Sequence, residues 1–599
     1  MRQQVVERCP IPGAVADGSM QQQQRMQHQT LPSLLADLYD QHSSEELETL
    51  SSQLLHSRVA SGNGHAEIAA ERRWNGATCV LIAYADAVTA EGEPGLRSLK
   101  WLIDDHLAPL ATVLHVLPFL RSTGDGGFAV SSHEELEDRF GSWSDLAALA
   151  NGRCLMADLV LNHVSASHPW VRGFLRGQQS SARCVLAASP NPCWDRVVRP
   201  RSSSLFTTLA TDHGPETVWT TFGPDQVDVN WRDPEVLLGF NRLLERLCSH
   251  GVGWLRLDAV GFVWKEPHTD CIHRPQAHRL VEILRLLLEA RCVDGVVVTE
   301  TNVPEQENLS YLQSGTEAHL AYNFPLPPLL LEASLSRRAD LLNSWLARWP
   351  QLPPDTSLLN FSACHDGIGL RPLEGLMEPD RLLQLLQQCE QRGGLVSHRR
   401  LEDGREVPYE INISWWSAMA DAGIDASRLQ RQRFLLTQLL VLALPGVPAF
   451  YLPALLASPN DRASFRRTGH RRDLHRTRYS VDHLQRLLAD PTTEASRVLF
   501  ALRQAMKVRA EQPALQPWAP MHVLSQGRSD LVILQRGEGA ETLLAVHNFS
   551  DARLSVPLRA LIATPPGSRW QDLLSGQTFS EAQQAFDLEP FAAHWFTTA

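Results

Sequence analysis

The segment Gly251-Val-Gly-Trp-Leu-Arg256-Leu-Asp258-Ala-Val260 is a short strand-forming run that ends in an arginine and an aspartate two positions apart. Side chains alternate along a strand, so Arg256 and Asp258 face the same side. A guanidinium beside a carboxylate holds it anionic at neutral pH, as a nucleophile requires, although a strand-end salt bridge has the same appearance. Three further apolar runs end in acid or histidine: Asp158-Leu-Val-Leu-Asn162-His163, Val298-Thr-Glu300-Thr-Asn302 and Asn360-Phe-Ser-Ala-Cys-His365-Asp366. Four strands that each deliver polar groups at one end constrain the fold strongly.

These runs belong to a longer alternation of strand-like and helix-like stretches. The strands are expected at Cys79–Tyr84, Leu114–Phe119, Arg153–Leu161, Gly253–Val260, Gly295–Thr301, Ala318–Phe324, Ser357–Ala363 and Val447–Tyr451. Eight β-then-α units predict an α/β fold, a (β/α)8 TIM barrel spanning 77–515. Two connections are too long to be simple, which predicts an inserted subdomain after strand 3 (about 165–230) and a long functional loop at about 367–430. Beyond 515, short alternating segments predict a C-terminal antiparallel β domain over 516–599. Residues 1–30 read as a disordered glutamine-rich tail, and 31–76 as a helical N-terminal extension.

Composition narrows the function classes. At 599 residues, 43% hydrophobic and 20% charged, the chain is of the globular kind. A net charge of −12 without a long basic run argues against nucleic acid. No apolar run reaches the roughly 18 residues of a membrane span, and the N-terminus lacks a signal-type apolar core. The ten cysteines follow no metal or disulfide spacing and read as reduced thiols of a cytoplasmic protein.

In such a barrel the C-terminal strand ends line the active site, which predicts a pocket holding Asp158, His163, Arg256, Asp258, Glu300, His365 and Asp366. Three converging carboxylates suit retaining glycosyl transfer: a nucleophile, an acid/base, and a third that steadies the developing positive charge.

The four strand ends resemble the signature regions of the α-amylase superfamily, glycoside hydrolase family 13. The phrases LHVLPFLRSTGDGGFAV, VWTTFGPDQVDVNW, RLDAVGFVWKEPHTDCIH, TETNVPEQENLSYL, HDGIGLRPLEGL and PYEINISWW resemble its sucrose-phosphorylase-like subfamily, and within it the glucosylglycerate phosphorylase branch. The resemblance implies Asp258 as nucleophile, Glu300 as acid/base and Asp366 as transition-state stabiliser. Arg256, His163 and His365 would hold the sugar at the cleavage point, beside Phe128 of GDGGF. Asp125 would close a one-glucose pocket together with a late-loop arginine, identified as Arg476. That loop reads RTGHRRDLHRTRY where relatives show something nearer GRDINRH, so His475 stands at the place of an asparagine.

The implied activity is a retaining glycoside phosphorylase acting on a small α-glucoside, preferably 2-O-α-glucosylglycerate, with phosphate as co-substrate and no cofactor. Sucrose or glucosylglycerol phosphorolysis, α-glucosidase or transglucosidase action, and a non-catalytic binding barrel are the alternatives. Phosphate approaching a pocket of carboxylates needs compensating positive charge, which the arginines of 462–478 offer unless they are a solvated surface. Asn302 is placed to touch acceptor or phosphate. Lys265 and Glu266 fit either an acceptor contact or solvated charges. Trp219, Phe222 and Trp264 fit sugar stacking or core. Asn162 sits where many amylases bind calcium, but no partner ligands are identifiable, so no metal is expected.

Overall fold

The computed structural model describes residues 30–56, 73–400, 405–420, 426–525, 527–561, 569–579 and 585–598. The glutamine-rich stretch 1–29 and most of the segment joining the N-terminal helices to the barrel lie outside these residues.

Eight parallel strands form a closed barrel: β1 (Val80–Ala83), β2 (Val113–Val116), β3 (Cys154–Val160), β4 (Val252–Asp258), β5 (Val296–Thr299), β6 (Leu320–Tyr322), β7 (Ser357–Phe361) and β8 (Val447–Tyr451). Each strand pairs with the next, and β8 closes onto β1 through Ala449 opposite Val80. Their near-continuous apolar character follows from burial on both faces, by barrel interior and by surrounding helices.

Register places the chemistry. Between β3 and β4, Leu155 pairs with Val252 but Met156 pairs with Trp254, so Gly253 is an extra residue on β4. This bulge sets Asp158 opposite Arg256, and without it Asp158 would face Leu255. Glycine suits the position, because a Cβ there would lie 2.9 Å from the Cys154 sulfur and 3.2 Å from that of Cys292. On the other side Leu257 pairs with Thr299, which brings Glu300 beside Asp258.

The connection after β3 carries the hairpin Phe206–Thr211/Gly214–Trp219 and a strand pair, His163–Ser165 with Gln226–Asp228. After β7 come the helix Pro379–Gln391 and a three-stranded sheet built from Ile368–Gly369, Glu406–Asn412 and Leu395–Arg400. The N-terminal helices Leu31–Leu38 and Ser44–Leu55 lie against the outer helices Pro275–Glu289 and Pro234–Ser249, tied by an Arg279–Asp37 ion pair of 3.0 Å. At the other end of the chain a six-stranded sheet begins at Met521 and ends at Thr598, packed on the helix Ala426–Ala443. Among the described residues no helix is long and apolar enough to cross a membrane, and the nine described cysteines are unbonded.

Candidate active site

Arg256 is the centre of the barrel mouth. It is almost wholly buried and donates to Asp158 and, at 2.8 Å, to Asp258. Its other terminal nitrogen lies 3.5 Å from Glu300 and 3.9 Å from Asp366. One guanidinium thus gathers four carboxylates from the ends of β3, β4, β5 and β7. His115 of β2 holds the second oxygen of Asp158 at 2.9 Å. Contacts with His115 and Arg256 hold Asp158 down to about 2 despite its burial, which makes it the fixed counter-ion of Arg256.

Asp258 behaves differently from the expectation that Arg256 depresses it. Burial lifts its pKa well above the ordinary range against the pull of Arg256, and the charges of Glu300, Asp158 and Asp366 add to the rise. Burial and Asp366 likewise raise Glu300. Arg256 must divide its field among four anions, which the strand pattern alone does not reveal. The Asp258–Glu300 pair therefore holds its last proton to a higher pH than ordinary carboxylates do. The 2.8 Å bond from Arg256 to Asp258, against 3.5 Å to Glu300, favours the anion on Asp258 and the proton on Glu300. Ala259 adopts a left-handed conformation (φ 52°), which points its N–H toward Glu300 at 3.4 Å.

Asp366 is held well below the usual range because the guanidinium of Arg472, with those of Arg256 and Arg476, outweighs its burial. Arg472 donates to Asp366 and forks onto Glu410 at 3.1 and 2.7 Å. Arg476 instead donates to the His365 carbonyl at 2.9 Å, lies over the Tyr84 ring at 5.3 Å and stands 4.0 Å from Asp366. It forms no ion pair with Asp125, whose carboxylate accepts from Gln226 at 2.9 Å. Gly126 makes room for Arg476: a Cβ there would meet its Nη1 at 2.6 Å and the Tyr84 hydroxyl at 2.9 Å. Gly126→Ala is therefore expected to displace Arg476 and raise the donor KM about tenfold, with the melting temperature moving only slightly. An unchanged KM would remove Arg476 from the pocket wall.

His365 stacks on Phe128 (5.3 Å, 9°), and neither of its ring nitrogens has a protein hydrogen-bond partner. Burial keeps it neutral, as it does His163, which lies 3.0 Å from Gln226. The Tyr84 hydroxyl and Asn302 Oδ1 are also buried without partners. Buried polar atoms are normally satisfied, so this group marks where a hydroxyl-rich ligand fits. Asp125, Phe128, His163, Phe222, Asn302, Tyr409 and Arg371 line one pocket with the three carboxylates. An outer cleft of about 750 Å³ adjoins it, lined by Arg139, Arg467, Arg471 and Arg478 and sharing Asp125, Arg201, Glu410 and Arg472 with the pocket.

Of the three aromatics expected to stack on sugar or in the core, only Phe222 reaches the pocket; Trp219 and Trp264 are core, the latter beneath Arg232 at 4.7 Å. Lys265 is neither an acceptor contact nor a solvated charge. Its buried ammonium lies 2.6 Å from Asn162 Oδ1 and 2.6 Å from Asp228 Oδ2, and also donates to the Phe262 carbonyl. Glu266 pairs with Arg274 at 2.7 Å. The Asn162 oxygen that a calcium ion would use is thus taken by an internal cation. Activity is accordingly expected to be unchanged by EDTA dialysis, and calcium-dependent recovery would contradict this. Arg472, Glu410, Tyr84, Gln226 and Asp228 escape sequence reasoning, because loop geometry alone gives them their partners.

Comparison with known proteins agrees with this architecture. Residues 106–354 match the alpha amylase catalytic domain, and 522–597 match the amylosucrase C-terminal domain. The glucosylglycerate phosphorylase of Allomeiothermus silvanus is 37% identical over 531 residues, covering 88% of this chain and 92% of that protein. The Escherichia coli (strain K12) glucosylglycerate phosphorylase is 34% identical, covering 75% and 80%. Among solved structures, the sucrose 6F-phosphate phosphorylase from Thermoanaerobacter thermosaccharolyticum superposes with a TM-score of 0.68 at 23% identity, covering 79% of this chain and 93% of that one. A barrel whose four strand ends converge on one arginine, followed by a small β domain and matched over nearly its whole length by such enzymes, leaves one placement: the chain belongs to the α-amylase family, glycoside hydrolase family 13, among its glycoside phosphorylases.

Proposed function

We propose that this enzyme transfers glucose from 2-O-α-glucosylglycerate to inorganic phosphate, giving α-glucose 1-phosphate and glycerate. The observation that carries the reading is the polarity of the pocket. Asp258, Glu300 and Asp366 gather around Arg256 beside the His365–Phe128 stack, while Arg201 and Arg371 line the same pocket. Neutral sugars need no such cations, whereas glycerate and phosphate are both anions.

In the proposed double displacement the Asp258 carboxylate attacks the anomeric carbon. The bond from that carbon to the glycerate oxygen breaks, and Glu300 gives its proton to that oxygen. Phosphate, drawn in past the arginines of the outer cleft and Arg201, then attacks the β-glucosyl-Asp258 ester and yields a proton to Glu300. Two inversions retain the α configuration. Asp366, kept anionic by Arg472, accepts from sugar hydroxyls and steadies the oxocarbenium-like charge. The unbonded cysteines support a reducing, cytoplasmic setting.

The test is sugar release from glucosylglycerate, glucosylglycerol, sucrose and sucrose 6′-phosphate, with and without phosphate. Phosphate-dependent glucose 1-phosphate from glucosylglycerate above the others is the expected result. Phosphate-independent glucose release would make the protein a glucosidase, and another preferred donor would change the acceptor.

The raised Glu300 also sets a pH dependence. The acid form is needed, and a raised pKa keeps it protonated as pH climbs through the ordinary carboxylate range, so kcat/KM should fall only on the alkaline side of that range. The same group destabilises the fold once it ionises, since a folded pKa above the unfolded one contributes stability at low pH that is lost as pH rises. Glu300→Gln should therefore melt about 1–3 °C above wild type at pH 8 and show a smaller gain at pH 4. A gain that grows toward low pH would reverse this assignment.

A further inference from the structure

Arg371 opens the short turn Arg371–Leu373 after the seventh strand, and its side chain is only 12% exposed. It faces the catalytic pocket together with Asn302, Val303 and Tyr409. Its Nε is buried without a hydrogen-bond partner. The nearest carboxylate, Glu374, stands 3.8 Å away and is already held by Arg399 at 3.0 Å. Glu307, the other acid in its field, lies 3.3 Å from His273 and is itself lifted by burial. Arg256 and Arg472, by contrast, each hold two carboxylates by direct hydrogen bonds: Asp158 and Asp258 for the first, Asp366 and Glu410 for the second.

Beside Arg371 stands a second unsatisfied group. The Asn302 side chain lies across Gly369, where a Cβ would fall 2.4 and 2.5 Å from its amide atoms, and its buried Oδ1 has no partner. Asn302 follows the acid/base carboxylate by two residues, so this pair sits where the departing group leaves Glu300. A nearly buried cation short of an anion is costly unless a ligand supplies one.

We propose that Arg371 and Asn302 form a carboxylate site for the acceptor. The Arg371 fork pairs with the carboxylate of a short hydroxy acid, and the Asn302 amide bonds to the same unit. This rests on the glucosylglycerate reading and supplies its selectivity. Glycerol or fructose in the same place leaves the Arg371 guanidinium with only its 3.8 Å contact to Glu374, so the site discriminates against neutral acceptors as well as favouring glycerate.

Arg371→Gln tests this with two donors that differ at one group, glucosylglycerate and glucosylglycerol. The expected result is a fall of about 10- to 100-fold in kcat/KM for glucosylglycerate. The value for glucosylglycerol should be unchanged or higher. Product inhibition by glycerate should weaken by a similar factor, and Arg371→Lys should restore part of both. Equal losses on the two donors or undiminished inhibition by glycerate would overturn the assignment. A wild-type enzyme that prefers glucosylglycerol would instead overturn the reading beneath it, and that is visible before any variant is made. Asn302→Asp, which sets a like charge against the carboxylate, should selectively impair glucosylglycerate too. If it impairs both donors alike, Asn302 is not part of the site.

Discussion

Replacing Asp258 with alanine is expected to lower turnover by roughly 10⁴-fold or more while the protein stays folded. The fold should survive because Arg256 keeps Asp158, held by His115 from behind, and because removing a buried carboxylate with a raised pKa relieves repulsion with Glu300 and Asp366. Turnover should not survive, since no other carboxylate on the same strand can form the glucosyl ester. Glu300→Gln should fail in a different manner. A donor whose leaving group needs no proton, such as α-glucosyl fluoride, should still glucosylate Asp258 in that variant, and trapped glucosyl-enzyme should be visible by mass spectrometry. Glucosylglycerate should give almost none. Near-wild-type turnover in Asp258→Ala would end the nucleophile assignment. Equal impairment of Glu300→Gln on both donors would end the acid/base one.

The largest stability effect is expected from Lys265→Met. That change keeps the length of the side chain and removes the ammonium, leaving Asp228 with Thr221 (2.9 Å from its backbone N–H and 2.6 Å from its hydroxyl) and Asn162 (3.0 Å) but without a counter-charge. Removing one partner of a buried pair costs about 3–5 kcal/mol. The loss should be local as well as global. Asp228 pairs with His163 across the short strand pair that joins the inserted segment to the barrel mouth, so limited proteolysis should cut first within 165–230. A combined Lys265→Met, Asp228→Asn variant should recover part of the stability. If Lys265→Met unfolds at the wild-type denaturant midpoint, the ammonium is not a structural tie.

Much of this was legible in the sequence because barrel strands announce themselves twice, as apolar runs buried on both sides and as polar residues at their C-terminal ends. Arg256, Asp258, Glu300, His365 and Asp366 could all be placed at one mouth for that reason. What escaped depends on the loops. In the run 471–478 several arginines looked alike, and Arg476 was read as the pocket arginine. The turn Arg471–His475 is a 3₁₀ helix, in which residues three apart eclipse, so Arg472 and His475 share its inner side and Arg472 takes Asp366 and Glu410. Lys265 was illegible for a related reason: its partners Asn162 and Asp228 are 103 and 37 positions away in the chain. The direction of the Asp258 shift was misjudged because a pairwise rule, guanidinium beside carboxylate, holds only while burial is slight and the guanidinium has no other claimants.

An ammonium built into the chain cannot be washed out, exchanged or competed for. Enzymes that use inorganic phosphate work in a medium hostile to divalent metal ties, because calcium and phosphate form sparingly soluble salts and each lowers the free concentration of the other. Lys265, held between Asn162 and Asp228, anchors the inserted segment with such a charge, one that the phosphate of the proposed reaction cannot precipitate.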